Sequence, residues 1–210
     1  EKVYYDFTFE ARNKDGHSSR PIRDNAIYHL ADALARLERY DFPVKLNDVT
    51  KAYFERLGQV ETGQTAADMR AVAKNPKDTA AVRRLSAQPV YNSMLRTTCV
   101  ATMLEGGHAP NALPQLARAN VNCRVLPDHD VKDVQATLVR LAGDTAVHVS
   151  PAPEPRGGPA SPLTPEVLGP VERLTKEMWP GIPVVPIMGT GATDGRALRQ
   201  KGIPTYGVSG

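Results

Sequence analysis

The sequence predicts an α+β fold in which helices cover one face of an antiparallel sheet, and two observations predict it. First, segments with alternating apolar residues and segments with helical apolar spacing follow one another in the order β-α-β-β-α-β. The four strand-like segments are residues 2–12, 94–104, 115–126 and 145–150. Second, two of the helical segments each carry one apolar stripe, and strands and amphipathic helices in this order are typical of a ferredoxin-like βαββαβ sandwich.

Two amphipathic helices belong to this sandwich. The first follows Asp24 and Asn25, either of which can cap it, and runs to about Arg39. Its predicted apolar face consists of Ile27, Leu30, Ala31, Leu34 and Leu37. The second covers residues 130–142, with Val131, Val134, Leu138 and Leu141 on one stripe. The third strand should turn Val121, Cys123 and Val125 toward these helices.

A helical insertion separates the first helix from the second strand. A helical stretch at residues 49–57 is followed by residues 60–90, which are rich in Ala, Lys and Asp. Helical patterns near 64–74 and 77–87 are broken by Asn75 and Pro76. This insertion carries no chemistry that its residue types identify.

The proline-rich stretch 151–162 indicates a linker, and a different pattern of predicted elements follows it. A helix at 165–178, a buried-type strand at 182–187, a glycine-rich loop at 188–193, a short helix from Asp194 and a terminal strand then follow. About fifty residues cannot close an α/β sheet alone. We therefore expect the segment after the linker to belong to a second domain whose remainder lies elsewhere.

Composition excludes several classes of protein. Among 210 residues, 41% are apolar, which is ordinary for a globular protein. The net charge is only +3, and no basic block indicates nucleic-acid binding. An RNA-binding sheet would also need aromatic residues on its central strands, and segment 115–126 has none. No apolar stretch is long enough to span a bilayer. The first residue is Glu1, so we expect a longer parent protein, and its compartment is not readable from targeting signals.

The two cysteines have no metal-binding or redox spacing. If their strands form a hairpin centred near residue 111, Cys99 and Cys123 lie opposite each other. Our interpretation is two buried thiols that pack as small apolar side chains. The alternative is a disulfide, which would favour an exported protein.

His17 is the first candidate functional residue. It sits in a turn-forming cluster, in which Gly16 permits a sharp turn, Ser18 and Ser19 offer local hydrogen bonds and Pro21 stiffens the exit. An imidazole displayed in this way can donate to a carbonyl or a developing oxyanion. We expect it to meet a ligand held by another domain or subunit; the alternative is a purely structural histidine.

Asn111 and Arg124 form the second candidate. Asn111 lies in a Gly- and Pro-rich loop, where it can present its amide to a substrate, and we expect Arg124 nearby on the following strand. The planar guanidinium of Arg124 suits a carboxylate, because its fork binds both oxygens. The alternatives are a flexible hairpin loop and an ordinary surface arginine.

The third candidate is the loop Gly191-Ala192-Thr193, which lies between a predicted strand and a predicted helix. Successive amide N–H groups there can hold an anion. The loop lacks the P-loop lysine and the dinucleotide spacing, so a carboxylate fits better than a nucleotide. We expect Asp194 to cap the helix.

The five histidines are scattered and form no metal motif, and His29 is interpreted as a surface or packing residue.

Three motifs together resemble the dinuclear-zinc peptidase family M20, which includes carnosinases, aminoacylases, acetylornithine deacetylases and succinyl-diaminopimelate desuccinylases. The motifs are Gly16-His17-Ser18-Ser19-x-Pro21 with Asn25-Ala26-Ile27, Gly106-Gly107 through Asn111-x-x-Pro114, and Asn122-x-Arg124-x-x-Pro127. Residues 191–196 also resemble the substrate-carboxylate loop of that family. The motifs follow the family order over nearly the whole chain.

The resemblance implies a zinc-dependent metallopeptidase or amidohydrolase with a lid, or dimerisation, domain inserted into a catalytic domain. Residues 1–155 would be the lid, and residues 156–210 would return to the catalytic domain. His17 would reach across a homodimer to stabilise the tetrahedral intermediate. Asn111 and Arg124 would contact substrate, and Gly191, Ala192 and Thr193 would hold its carboxylate. The substrates would be small peptides or N-acyl amino acids.

The chain departs from the family in one respect. The ligands of the two zinc ions and the general base would all lie outside residues 1–210, so the chain alone is expected to bind no metal and to be inactive.

Self-association is expected from the sheet edge. The predicted strand at 94–104 lies at that edge, where its Thr and Val residues do little to prevent pairing with a second copy. The alternative function is a non-catalytic dimerisation or binding module of ferredoxin-like fold.

Overall fold

The computed structural model describes residues 1–153 and 157–208. Its strands are β1 Val3–Arg12, β2 Thr98–Gly106, β3 Leu116–Val125 and β4 Val147–Pro151. Its helices are α1 Ala26–Glu38, α2 Asp48–Val60, α3 Gly63–Lys74, α4 Thr79–Ser86, α5 Pro89–Leu95, α6 Val131–Ala142, α7 Pro165–Met178 and α8 Gly195–Gln200. None of the helices in the described ranges is long and apolar enough to cross a membrane.

The chain divides into two compact units. The first comprises Glu1–Lys2, Phe42–Thr97 and Gly158–Gly210, and the second comprises Val3–Asp41 and Thr98–Gly157. The second unit contains the sheet with α1 and α6. The first contains α2–α5 together with α7 and α8, so the helical residues 60–90 group with the C-terminal segment.

The sheet of the second unit has the order β2-β3-β1-β4, with antiparallel neighbours throughout. Central strands β1 and β3 place Phe7 opposite Val121 and Phe9 opposite Ala119. These four side chains are buried. Strand order and connection confirm the predicted α+β, ferredoxin-like βαββαβ sandwich.

Helices α1 and α6 cover this apolar face. The side chain of Asn25 caps α1 by accepting from the N–H of Ile27, as one of the two predicted caps would. The buried residues of α1 are Ala26, Leu30, Ala33 and Leu37. The predicted face was therefore wrong at Ile27 and Ala31, which are exposed. The core-facing stripe passes through Ala26 and Ala33 instead, because these positions share the helical period of Leu30 and Leu37.

The helical insertion has the predicted elements, with one error at its end. Helices α2, α3 and α4 correspond to the predicted patterns, and α3 and α4 are joined through Asp68, whose carboxylate accepts from the guanidinium of Arg84 at 2.7 and 2.8 Å. That hydrogen bond is the main reason that the pKa of Asp68 lies below its ordinary value.

The start of the second strand was predicted wrongly. Met94 and Leu95, predicted to begin that strand, end α5 instead and are buried.

The C-terminal segment keeps its predicted helices and lacks its predicted strands. Residues 182–187 and 203–208 are irregular, because no strand in the described part of the chain pairs with them. The carbonyl of Val184 accepts instead from Nη1 of Arg56 at 2.8 Å. The central residues of the predicted linker, 154–156, lie outside the described residues.

Cys99 and Cys123 form a disulfide, which corrects the interpretation of two free thiols. The predicted hairpin does place them directly opposite each other on β2 and β3. Their Cα atoms are 4.1 Å apart, and their sulfur atoms are bonded to each other. The bridge closes the loop that carries Asn111.

Candidate functional site

His17 lies on a loop that is attached to the β2–β3 connection. The N–H of Ser18 donates to the carbonyl of Asn111 at 2.9 Å, and the N–H of Leu113 donates to the carbonyl of Gly16 at 2.8 Å. An isolated antiparallel bridge joins His17 to Ala112. Two loops distant in sequence are thereby fixed to each other through their backbones.

Gly16 is required by close packing. A Cβ atom added at Gly16 would lie 2.5 Å from Cδ1 of Leu113, a side chain that is itself buried. The φ of Gly16 is not positive, so the expected sharp turn is not its role. The missing side chain instead lets the His17 loop approach the β2–β3 connection.

The ring of His17 is held on one side by Ser19. The N–H of Ser19 donates to Nδ1 of His17 at 3.2 Å, and Oγ of Ser19 lies 2.8 Å from the same atom. Because a backbone N–H can only donate, Nδ1 is the acceptor and the proton of the neutral ring resides on Nε2. The Nε2–H group of the exposed ring is then the donor available to a ligand.

Asn111 lies beside this donor. Its Nδ2 atom is 3.4 Å from Nε2 of His17, and both side chains are exposed. Two N–H donors at this separation do not bond well to each other. They can, however, both donate to one oxygen atom placed between them, which is the arrangement that stabilises a carbonyl or an oxyanion.

Arg124 does not join this pair. It lies near the end of β3, whereas Asn111 precedes the start of that strand at Leu116. The rise of an extended strand separates Leu116 from Arg124 by about 26 Å. The expectation that Arg124 lies near Asn111 was wrong, because the strand between them runs straight through the sheet.

The guanidinium of Arg124 contacts two neighbouring side chains. Its Nε donates to Oδ1 of Asn122 at 3.2 Å, and its Cζ lies 4.7 Å from the ring centre of Tyr4. Its Nη1 is buried and finds no hydrogen-bond partner among the residues that the structure describes. Arg124 as a whole residue is only half-buried, so its side chain is not sealed from a ligand.

The loop Gly191-Ala192-Thr193 belongs to the other compact unit. All three residues are exposed, and a Cβ added at Gly191 would meet no atom. Asp194 occupies the N-cap position of α8, but its side chain makes no capping hydrogen bond, so that expectation was wrong. The carbonyl of Thr193 accepts from the N–H of Arg196 instead.

The described residues contain no group of three or more His, Cys, Asp or Glu side chains that could hold a metal ion. The described residues therefore do not fit a zinc centre, and no step through a metal follows from them.

His29 contacts two carboxylates, Asp144 through Nδ1 at 2.6 Å and Asp24 through Nε2 at 2.7 Å. Hydrogen bonds to Asp24 and then to Asp144 raise the pKa of His29. This corrects its interpretation as a simple surface or packing residue.

Several residues around Arg124 were missed by the sequence analysis. Tyr4, Asp6 and Asn122 share the sheet face opposite α1 and α6 with Arg124. Alternation along β1 and β3 places them on one face, but the pairing of Tyr4 with Arg124 depends on the register between two strands 120 positions apart. The separate alternation patterns carry no information on that register.

Comparison with known proteins identifies the family. The family described as the peptidase dimerisation domain of the M20 peptidases matches residues 1–150. Among curated relatives, Probable carboxypeptidase S-like 2 of Dictyostelium discoideum is 28% identical over 201 residues, covering 93% of this chain and 37% of that protein. N-fatty-acyl-amino acid synthase/hydrolase PM20D1 of Homo sapiens is 27% identical over 203 residues, covering 93% of this chain and 39% of that protein. This chain thus spans about two fifths of these relatives.

Solved structures share the fold. An M20 family metallo-carboxypeptidase from Sulfolobus solfataricus superposes with a TM-score of 0.56 at 18% identity, covering 96% of this chain and 56% of that one. Human carnosine dipeptidase 1 superposes with a TM-score of 0.53 at 15% identity, covering 95% of this chain and 46% of that one. The match over residues 1–150 decides the family, and the chain belongs to the M20 peptidases through their dimerisation domain.

Proposed function

We propose that this chain is the lid, or dimerisation, domain and part of the catalytic domain of a zinc-dependent M20 amidohydrolase. The parent enzyme would cleave amide bonds of small peptides or N-acyl amino acids. The observation that carries the proposal is the pairing of Nδ2 of Asn111 with Nε2 of His17 at 3.4 Å. Curated relatives are named as a carboxypeptidase S-like protein, an N-fatty-acyl-amino acid synthase/hydrolase and an aminoacylase, which supports this substrate class.

The role of the His17–Asn111 pair follows from its donors. Hydrolysis of an amide passes through a tetrahedral intermediate whose oxygen becomes negative. Nε2–H of His17 and the amide of Asn111 would both donate to that oxygen, stabilising it more than the neutral carbonyl. His17 is thus the proposed catalytic residue, and Asn111 its neighbour at the substrate.

The substrate carboxylate is assigned to two elements. Arg124 is a half-buried cation, and charge-assisted bonds to a carboxylate are among the strongest hydrogen bonds in proteins. Gly191, Ala192 and Thr193 form an exposed loop whose backbone N–H groups can approach an anion closely. The two elements belong to different compact units of the chain.

Two zinc ions would supply the metal-bound water in the parent, and their ligands would lie outside these 210 residues. This chain alone would be inactive. The lid lies within residues 1–155, and residues 156–210 return to the catalytic domain. Residues 60–90 group with the returning segment in one compact unit.

Dimerisation through β2 is supported by the exposed edge of the sheet. β2 pairs only with β3 within the described chain and carries exposed apolar residues, namely Val100 at 60%, Met103 at 62% and Leu104 at 71% of full exposure. A strand of this kind is a template for a second strand. Pairing with its own copy about a two-fold axis would give a homodimer, in which His17 acts on the active site of the partner.

The alternative is a non-catalytic dimerisation or binding module. It makes the same edge contact but gives His17 and Asn111 no role in chemistry. The two proposals differ in what happens when the donors are removed.

The test uses the full-length parent and the N-acyl amino acid that it hydrolyses fastest. His17→Ala and Asn111→Ala should each lower kcat by about 10²-fold, as loss of an oxyanion donor does elsewhere. The matched control is His148→Ala, because His148 is another exposed histidine of the same unit, on β4. Unchanged kcat in both loop variants, in a protein that hydrolyses the substrate, would favour the non-catalytic module.

A further inference from the structure

We infer that Asn122 is a positioning residue, which aims the guanidinium of Arg124 through a hydrogen-bond relay that starts at Asp6. The inference rests on the proposed function, because it gives Arg124 a substrate carboxylate to bind. It adds residues of β1 and β3 to which no binding or catalytic role was assigned from the sequence.

The first step of the relay is the orientation of an amide. Nδ2 of Asn122 donates to Oδ1 of Asp6 at 2.8 Å. An ionised carboxylate only accepts hydrogen bonds, so it selects the amino end of the Asn122 amide and leaves the oxygen end pointing to the other side. Asn122 is 9% exposed, and a buried amide that turned over would lose this bond.

The second step is the orientation of the guanidinium. The oxygen end of Asn122 accepts from Nε of Arg124 at 3.2 Å. The ring of Tyr4 supports the same group from its face, with 4.7 Å between the ring centre and Cζ. These two contacts fix the plane of the guanidinium at its edge and at its face.

The third step is the binding of a carboxylate by the oriented guanidinium of Arg124. Nη1 of Arg124 is buried and has no partner in the described part of the chain. Arg124 as a whole residue is only half-buried, and a guanidinium held in one plane is preorganised for an acceptor such as a carboxylate oxygen. A mobile arginine would lose conformational entropy on binding the same group, so the relay should act on substrate affinity rather than on the chemical step.

A neighbouring residue offers a matched control. Asn120 lies on the same strand and face, and its Nδ2 donates to the same Oδ1 of Asp6 at 3.1 Å. It also donates to Oγ1 of Thr102 at 2.8 Å. No hydrogen bond joins Asn120 to Arg124 among the described residues. Asn120→Leu and Asn122→Leu are therefore the same substitution at positions that differ in their link to Arg124.

The experiment measures KM and kcat in the full-length parent for two probes. One is the N-acetyl-L-amino acid that the wild type hydrolyses fastest, and the other is the same compound with its carboxylate converted to a neutral amide. Asn122→Leu should raise KM for the acid about tenfold with kcat little changed, and Asn120→Leu should raise it less than about twofold. The neutral probe should show no such difference. In an Arg124→Ala background, Asn122→Leu should have no further effect.

The outcomes separate the inference from the proposed function. If Arg124→Ala raises KM for the acid while Asn122→Leu and Asn120→Leu behave alike, the relay is wrong and the role of Arg124 stands. If Arg124→Ala leaves KM for the acid unchanged, or no N-acetyl amino acid is hydrolysed, the proposed substrate role fails and the relay falls with it. A crystal structure of the Asn122→Leu variant gives a readout independent of activity. The guanidinium of Arg124 should leave its position over Tyr4, and an unchanged guanidinium would overturn the relay.

Discussion

The Nδ2 atom of Asn111 lies 3.4 Å from Nε2 of His17, although 94 residues separate the two positions in sequence. Backbone hydrogen bonds between the two loops fix this proximity, and the side chains follow from it. The backbone therefore holds the two residues side by side before any ligand arrives. Such preorganised donors stabilise developing charge without reorganising during the reaction.

Gly16→Ala should separate the two loops. The new methyl group would meet Cδ1 of Leu113 at 2.5 Å, and Leu113 is buried, so one loop must shift. Overpacking of this kind destabilises a protein by about 1–3 kcal/mol. We expect a loss near the lower end, because the clash is with the tip of a side chain, together with a clear fall in kcat of the full-length enzyme. Denaturation by guanidinium chloride measures the loss of stability, and steady-state kinetics measure the fall in kcat.

The control for this substitution is Gly207→Ala, because an added Cβ there would meet no atom and the φ of Gly207 is not positive. Substitutions at surface positions of this kind usually change stability by no more than about 0.5 kcal/mol. If Gly16→Ala is equally harmless to stability and kcat, the close approach of the two loops is not what holds His17 in place.

Removal of the disulfide should destabilise the protein. Cys99 and Cys123 are 24 positions apart, and a loop of this length corresponds to about 3 kcal/mol of lost chain entropy in the unfolded state. The double variant Cys99→Ala with Cys123→Ala should unfold at correspondingly lower denaturant concentration. Reducing agent should shift the wild type by a similar amount and leave the variant unchanged. Titration of two free thiols in the untreated native protein would contradict the bridge.

His29 should make stability depend on pH. Hydrogen bonds to Asp24 and then Asp144 raise the pKa of His29 above its ordinary 6.5. A base whose pKa is raised on folding contributes stability below its unfolded pKa, and that contribution is lost as pH rises through the folded pKa. The pKa of Asp144 is lowered, first by the N–H of Ala146 and then by His29, so its contribution is lost as pH falls through a folded pKa below 3.8.

The measurement compares wild type with His29→Gln by denaturation across the pH range. The wild type should be more stable by about 1 kcal/mol or less between roughly pH 4 and 6.5, because the groups are partly exposed. This advantage should shrink as pH rises above 6.5 and should be abolished when Asp24→Asn and Asp144→Asn are combined with either protein. An advantage that grows with pH would have the wrong sign.

The edge strand should tolerate no charge if it forms the dimer. Val100→Lys places a charge on an exposed edge position of β2, and lysine is a residue that natural sheets use to prevent edge pairing. We expect the dimer of the full-length protein to weaken by at least about tenfold, as sedimentation velocity would show. Val139→Lys is the matched control, because Val139 is 52% exposed on α6 rather than on the edge. Equal dimer affinities in both variants would place the interface elsewhere.

The sequence was informative where residues near each other in the chain determine the structure. Apolar periodicity located α1, α3, α4, α6 and α7, and alternation located the paired strands of the sheet. The same reasoning failed for residues 182–187, because a strand exists only where a partner strand pairs with it. Met94 and Leu95 were misassigned for a related reason, since a short apolar run fits a buried helix end as well as a strand.

The residues of the candidate site could be predicted from the sequence, whereas most of the contacts between them could not. His17 and Asn111 could be picked from their turn-forming surroundings, but their contact depends on the packing of two loops. Arg124 was assigned to the correct face of β3, whereas its distance from Asn111 and its contact with Tyr4 depend on strand length and register. The disulfide was a choice between two chemical states that the residue types alone leave open.

The central claim is that His17 completes the active site of a second subunit, and one measurement tests it most directly. Full-length His17→Ala protein is mixed with a full-length variant whose general base is removed, each inactive alone, under conditions of demonstrated subunit exchange. The heterodimer has one active site with both the base and the histidine of its partner, so the account predicts recovery of up to about a quarter of the wild-type activity per subunit, since half the dimers are mixed and each has one complete site. If mixing restores no activity while exchange is complete, His17 does not act across the dimer and the account is wrong.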